Sequence, residues 1–351
     1  MSAVAMDFLQ KYAPVVADQF VSMNATQTQN TLYGDVNLEA LNWLERTWAS
    51  YYIWMGNPVL ATGVMSFLLH EIVYFGRAIP WLIIDAIPYF HQWKIQPDKH
   101  ISKEQIWKCT KVVLLTHFTC ELPLIYAFHP ICCYFGMATY EVPFSSIGLM
   151  AAQIAFFFVF EDMFHYWAHR GLHYGPFYKN IHKLHHEFSA PIGLAAEYAH
   201  PLEVLILAQG TISGPFLYCL FRKDLHILTV YIWITLRLWQ AVDAHSGYDF
   251  PWSLRHFIPF WAGADHHDYH HMAFTNCFST SFRWWDFSLG TDAKYHAYKK
   301  RLAAAKANQR AKIEAEEHER ATQEGLEAER LVLMGGPNNI EKIKIGTGKK
   351  Q

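Results

Sequence analysis

Fourteen of the 21 histidines in this chain fall between His165 and His271, and their spacing is that of metal ligands. The runs read HYWAHRGLH at 165–173, HKLHH at 182–186 and HHDYHH at 266–271. His165, His169 and His173 step by four, which puts them on one stripe of a helix. His182, His185 and His186 follow i, i+3, i+4, as do His267, His270 and His271, so each trio is expected on one helical face. Imidazole is the commonest protein ligand for zinc, copper, iron and nickel. One ion takes about three or four protein ligands, so eight or more converging imidazoles imply two ions. Zinc is usually closed in by four ligands and often uses cysteine. A redox pair of iron ions better suits an all-nitrogen shell that keeps positions open.

Two further histidines join the candidate shell. His200 ends Glu197-Tyr198-Ala199-His200, an ExxH pair on one helical face, and His245 stands in Asp243-Ala244-His245-Ser246-Gly247. Soluble di-iron bundles need two ExxH pairs and two more glutamates; one such pair argues against that architecture. Asp243, Asp268 and Glu161 or Asp162 are expected as acceptors that fix imidazole tautomers. His266 would point off the face of its neighbours, and His70, His117 and His129 read as satisfied core histidines. No GxGxxG, P-loop, His-Pro-Gly-Gly haem element or nucleophilic Ser or Cys signature is present, so neither a dinucleotide fold nor covalent catalysis is indicated.

The elements that must carry these residues are apolar. Hydrophobic residues make up 52% of the chain and charged ones 17%, low against about 25% in soluble domains. Aromatics reach 16%, as where side chains line a membrane interface. A net charge of −2 gives no electrostatic case for nucleic acid. The six cysteines lack CxxC spacing and read as buried reduced thiols. No signal-peptide pattern opens the chain, so insertion falls to an internal apolar segment.

Residues 1–46 form a mildly polar segment with a sequon at Asn24-Ala25-Thr26. From Thr47 to His70 no Asp, Glu, Lys or Arg occurs, long enough for a first span against the roughly 20 residues needed, with a kink expected at Pro58. Residues 78–93 read as interfacial. Lys94, Lys99, Lys103, Lys108 and Lys111 against Asp98 and Glu104 put the next loop in the cytosol. Residues 112–137 and 142–160 are further spans, the second running into the first histidine ladder. Residues 204–221 and 225–242 make a hairpin that starts and ends on one side. By parity, all three histidine clusters share that side. The fold class is therefore all-α integral membrane, with transmembrane helix hairpins and a cytosolic helical cap holding a histidine-rich di-metal site. The catalytic domain is expected at 47–298. Residues 299–351 form an extension whose charged part, 299–332, reads as a solvated helix and whose Gly-rich, basic tail from 334 reads as disordered. Lys349-Lys350 lies one place from a di-lysine retrieval position and carries little weight.

Four stretches carry a family resemblance: EDMFHYWAHRGLH at 161–173, IHKLHHEFSAPIGLAAEYAHPLE at 181–203, DAHSGYDFPW at 243–252 and GADHHDYHHMAFTNCFSTSFRWWDFSLGTD at 263–292. This ordered set resembles the membrane fatty-acid hydroxylase superfamily, which includes sterol desaturases and hydroxylases, and within it the 4-methylsterol monooxygenase branch. The resemblance implies two iron ions facing the cytosol at the endoplasmic reticulum membrane, held by His169, His173, His182, His185, His186, His267, His270 and His271, with His165 less secure because other branches often have Tyr there. It implies dioxygen-dependent stepwise oxidation of a sterol 4α-methyl group to carboxylate. Electrons would come from NAD(P)H through a reductase and cytochrome b5, and a separate sterol decarboxylase would act next. A sterol desaturase or a fatty-acid hydroxylase would share the metal site. A membrane metal transporter is the alternative of another class, and would distribute its ligands along successive spans.

Overall fold

The computed structural model describes residues 22–306 and 310–334. Among them the regular elements are helices, with three isolated β-bridges and no strand. They are α1 (Ala25–Tyr33), α2 (Trp43–Met55), α3 (Pro58–Asp85), α4 (Lys103–Phe135), α5 (Ile147–Leu172), α6 (Pro201–Phe221), α7 (Ile227–Ala244), α8 (Gly263–Ala273), α9 (Ala293–Lys306) and α10 (Arg310–Leu333), with shorter turns between them. Helices α3, α4, α5 and α6, of 28, 33, 26 and 21 residues, are long and apolar enough to cross a bilayer, and the protein is an all-α, multi-pass membrane protein.

The chain divides into two compact units. The first comprises Met1–Ile72, Thr116–Phe157 and Ile212–Leu236. Its interior is polar-stitched aromatic packing. Trp48 meets Phe144 edge-on with ring centroids 5.6 Å apart, the Tyr52 hydroxyl lies 2.9 Å from Thr62 Oγ1, and Thr62 Oγ1 lies 2.8 Å from His129 Nδ1. His129 is thus the satisfied core histidine expected of it. The Asn24 side chain accepts from the Gln27 backbone N–H in a capping box that starts α1.

The expected span at 47–70 is divided. Gly56, at φ 66°, closes α2, where a Cβ would meet the Met23 carbonyl oxygen. Pro58, whose fixed φ suits a first helical position, then opens α3. That helix continues to Asp85 and absorbs much of the stretch read as interfacial; only Pro88–Trp93 forms a separate 3-10 turn. Pro123, which has no N–H to give the turn before it, follows a π turn at His117–Glu121 in α4.

The second unit comprises Val73–Leu115, Phe158–Thr211 and Arg237–Gln351. Its centre is α8, buried from Ala264 through Ala273. One wall packs Tyr74, Ala78, Val113, Leu194 and Tyr198 together, and the Tyr74 hydroxyl donates to the Leu194 carbonyl at 2.5 Å. Arg77 and Trp81 both donate to Asp243. The other wall is α9 and α10. Tyr269, Met272 and Cys277 pack with Tyr295, Tyr298 and Ala321, so α10, expected as a solvated helix, buries one side against α8. The tail beyond residue 334, including Lys349-Lys350, lies outside the described residues. All six cysteines are free thiols, four of them buried.

Candidate metal centre

Four segments of the second unit deliver imidazoles to one place. The end of α5 carries His169, with His173 one residue past its last turn. The 3-10 turn His182–Glu187 carries three histidines, His245 follows α7, and α8 carries His267, His270 and His271. The segment 182–187 is therefore a 3-10 helix where spacing predicted an α-helical face. In a 3-10 helix residues i and i+3 eclipse, and the His182 and His185 rings are stacked with centroids 5.4 Å apart.

Nine rings form two groups: His169, His173, His182, His186 and His270 in one, His185, His245, His267 and His271 in the other. Both HxxHH motifs are split between the groups. His182 and His186 go to the first with His185 in the second, while His270 goes to the first with His267 and His271 in the second. Within the five, Nε2 atoms stand 3.1 Å apart for His169 and His182, 2.9 Å for His173 and His182, 3.2 Å for His173 and His270, and 3.1 Å for His182 and His186. Within the four, the Nε2 separations are 3.2 Å for His185 and His245, 2.9 Å for His245 and His267, and 3.2 Å for His267 and His271. Nitrogens each about 2.1 Å from one ion lie about 3.0–3.4 Å apart, so both groups have the dimensions of a coordination shell.

The far side of the rings fixes which nitrogen faces inward. Nδ1–H donates to the Phe278 carbonyl from His169 (2.8 Å), to Asn276 from His270 (2.6 Å), to Phe188 from His271 (3.0 Å), to Tyr198 from His185 (3.2 Å) and to Ala241 from His245 (2.7 Å). His182 Nδ1–H donates instead to the Glu203 carboxylate at 2.8 Å. Six rings are thereby held as the tautomer whose Nε2 carries a lone pair, and those lone pairs point at one another. Buried acceptors facing acceptors repel unless a cation lies between them. The donor set fits two transition-metal ions on this ground.

Burial keeps the rings ready to bind. It pushes the His182 imidazole down to about 3 and that of His185 to about 4. Burial, reinforced by neighbouring imidazoles, holds His173, His186, His267 and His271 well below the usual histidine range. Neutral imidazole is the ligating form.

Two sequence-predicted ligands stand apart from the nine. His165 is buried beside His169, but its Nδ1 lies 3.2 Å from Glu161 and 3.3 Å from Arg237, placing it in an ion-pair network. His200 Nδ1 accepts from the Leu202 N–H at 3.1 Å, so its lone pair serves the start of α6. The predicted carboxylate acceptors are also employed elsewhere. Asp243 takes Arg77 and Trp81, Asp268 takes the Gln96 side chain, Asp162 takes the Phe282 N–H, and Glu161 pairs with Arg237. Glu203, which does support a ring, was missed. Its signal was the ExxxE-free stretch AHPLE, where a lone carboxylate opens an apolar helix. The five backbone acceptors have no side-chain signature. His266 points away as expected, with Nε2 3.7 Å from Asp286.

Residues 154–291 match the Fatty acid hydroxylase family. The chain is 61% identical over 266 residues to the C-4 methylsterol oxidase of Schizosaccharomyces pombe, covering 76% of this chain and 88% of that protein. It is 54% identical to the C-4 methylsterol oxidase of Candida albicans over 84% and 95% of the two chains, and 41% identical to methylsterol monooxygenase 1 of Rattus norvegicus over 68% and 79%. No solved structure matches the chain.

Proposed function

This chain belongs to the methylsterol monooxygenases of the fatty acid hydroxylase family, and on that premise we propose that its nine-histidine centre carries out the family's chemistry with two iron ions and dioxygen. The protein is an oxidoreductase of sterol biosynthesis that oxidises the 4-methyl group of a 4-methylsterol. The observation that carries the iron assignment is the convergence of nine Nε2 atoms, five and four, with no thiolate among them. Zinc is satisfied by four ligands, often with sulfur, whereas an all-imidazole pair of sites suits ions that change oxidation state and keep positions open.

Bound at these groups, the ions would supply dioxygen binding and activation. The chain's own residues do the rest. Backbone carbonyls of Phe278, Asn276, Phe188, Tyr198 and Ala241 lock the ring tautomers. The Glu203 carboxylate does the same for His182 and raises its basicity. Burial of all nine rings excludes bulk water from the oxidation. Oxidation of a methyl group to carboxylate takes three rounds, through alcohol and aldehyde, each drawing two electrons. The electrons would come from NAD(P)H through a reductase and cytochrome b5, and a sterol decarboxylase would receive the product. The site would face the cytosol at the endoplasmic reticulum membrane. A transporter would string its ligands along the spans; eight of the nine here lie outside the helices long enough to cross.

The test is reconstitution of the iron-loaded chain with a 4,4-dimethyl sterol, dioxygen and a cytochrome b5-type donor, reading product mass. Successive alcohol, aldehyde and acid products support the reading. A new ring double bond with the methyl groups intact would replace it with desaturation.

A further inference from the structure

The first unit contains a second, smaller constellation of imidazoles and carboxylates. His70 and Glu71 stand near the middle of α3, and His117 and Glu121 are the first and last residues of the π turn near the middle of α4. Sequence alone assigned both histidines to the core. Ionisable residues at such depth in a spanning helix mark function more often than packing, and π turns recur where a helix must present functional side chains.

The geometry is directional. One oxygen of Glu71 faces Nδ1 of both rings, 2.7 Å from His117 and 3.5 Å from His70. The Glu121 carboxylate faces the opposite nitrogens, with Oε2 3.2 Å from His70 Nε2 and Oε1 3.9 Å from His117 Nε2. The rings are nearly perpendicular, their centroids 4.8 Å apart. One carboxylate thus orients both imidazoles, and the Nε2 atoms they present converge on a second carboxylate, all within 4.8 Å. We propose that His70, His117 and Glu121 bind a divalent cation of the zinc type, with Glu71 as the group that positions both rings.

The donor set is two imidazoles and one carboxylate, a combination that zinc and ferrous sites use with further positions left to water. A carboxylate behind a ligating imidazole fixes its tautomer in such sites, and here one carboxylate does so for two rings. The 3.9 Å between His117 Nε2 and Glu121 Oε1 and the 3.2 Å between His70 Nε2 and Glu121 Oε2 are separations that ligand atoms on one ion, each about 2.1 Å from it, can hold. The cation would tie α3 to α4. The proposal is independent of what the nine-histidine centre holds.

The experiment is metal analysis on the full chain, purified in detergent without a histidine tag, stripped with a chelator, reloaded with Zn2+ and washed on a desalting column. His117→Ala and Glu121→Gln are each compared with the unaltered chain, whatever total that chain takes up. Loss of one zinc per chain in either variant, with the remaining equivalents retained, supports the site. Glu71→Gln should weaken the same equivalent about 10- to 100-fold. His256→Ala, at an exposed histidine beside Asp249, is the control. Equal zinc in the unaltered chain and both variants overturns the proposal in favour of internal imidazole–carboxylate pairs. Loss of the same equivalent in His256→Ala overturns it as an adventitious ion only. Glu121→Gln keeps the side-chain shape, so the count can be read even if His117→Ala fails to fold.

Discussion

Glu203, in the first turn of α6, accepts the His182 Nδ1–H at 2.8 Å, and both side chains are buried. Within the nine-histidine centre His182 is backed by a carboxylate, whereas His169, His185, His245, His270 and His271 lean on backbone carbonyls. A carboxylate makes the opposite nitrogen a better donor than a carbonyl does. Glu203→Ala is expected to lower metal affinity at the five-histidine group about 10- to 100-fold, read as metal content after competition with a graded chelator. Glu203→Gln, which keeps an acceptor, should lose less. Unchanged retention in both would remove Glu203 from the centre.

The two groups differ in redundancy. The four-histidine group drops to three ligands on losing one ring, whereas the five-histidine group still has four. His185→Ala and His245→Ala should therefore release their ion under milder chelation than His186→Ala does, though the residues at 185 and 186 are neighbours. All three should abolish sterol oxidation while leaving abundance and membrane insertion near normal. The ordering is read by metal-to-protein ratio. A steeper loss for His186→Ala would mean that the five rings do not share one ion.

Residue types and spacing identified all nine converging rings, the helical class and the two helices that precede α8, because ligand chemistry and apolar run length are written in single residues. The partition into five and four was not legible. It depends on the direction in which each ring aims its Nε2, and that is set by carbonyls such as those of Phe278, Asn276 and Phe188, groups that every residue possesses. His200 and His165 stand outside both groups for a related reason. Spacing reports which face a ring occupies but not that a free N–H at Leu202, or Glu161 and Arg237, will claim it first. The first span was misplaced because charge-free length does not register the left-handed cap at Gly56, just before Pro58.

Gly325 lets α10 lie directly on α8. A Cβ there would stand 2.4 Å from the Met272 carbonyl oxygen and 3.1 Å from the Ala273 Cα. Those neighbours are backbone and cannot swing aside. Gly325→Ala must push the helices apart, although alanine is the better helix former in isolation by about 1 kcal/mol. We expect a lower thermal midpoint and faster metal loss, since Met272 follows His271 directly. Gly148→Ala, where nothing lies within 4 Å of the added carbon, is the control and should not destabilise. A Gly325→Ala chain as stable as the parent would mean that α10 is not held against α8.

Arg237 Nε lies 2.7 Å from Glu161 Oε1, with side-chain exposures of 9% and 0%. Removing one partner leaves the other charge buried, at a cost of about 3–5 kcal/mol. Replacing both with apolar groups is far milder. Arg237→Ala should therefore lower the thermal midpoint in detergent sharply, and Arg237→Leu combined with Glu161→Leu should recover most of it. His165, which lies against both residues, would be released by either change. If the double variant is no more stable than the single one, packing and not charge is what Arg237 supplies.

Acid should unfold the metal-free chain earlier than the loaded one. In the fold, burial holds His182 near about 3 and His185 near about 4, and holds His173, His186, His245, His267, His270 and His271 well below the ordinary range. In the unfolded chain the same rings take protons near pH about 6.5. Their folded values are depressed, so the unfolded state gains protons first as pH falls. Stability is intact above about pH 6.5 and declines from there toward about pH 4, by up to roughly 1.4 kcal/mol per pH unit for each ring. Bound ions compete with those protons and should shift the loss to lower pH. Thermal midpoints of stripped and reloaded chain across pH 8 to about 4 test this. Parallel curves for the two forms would separate the histidine cluster from the acid response.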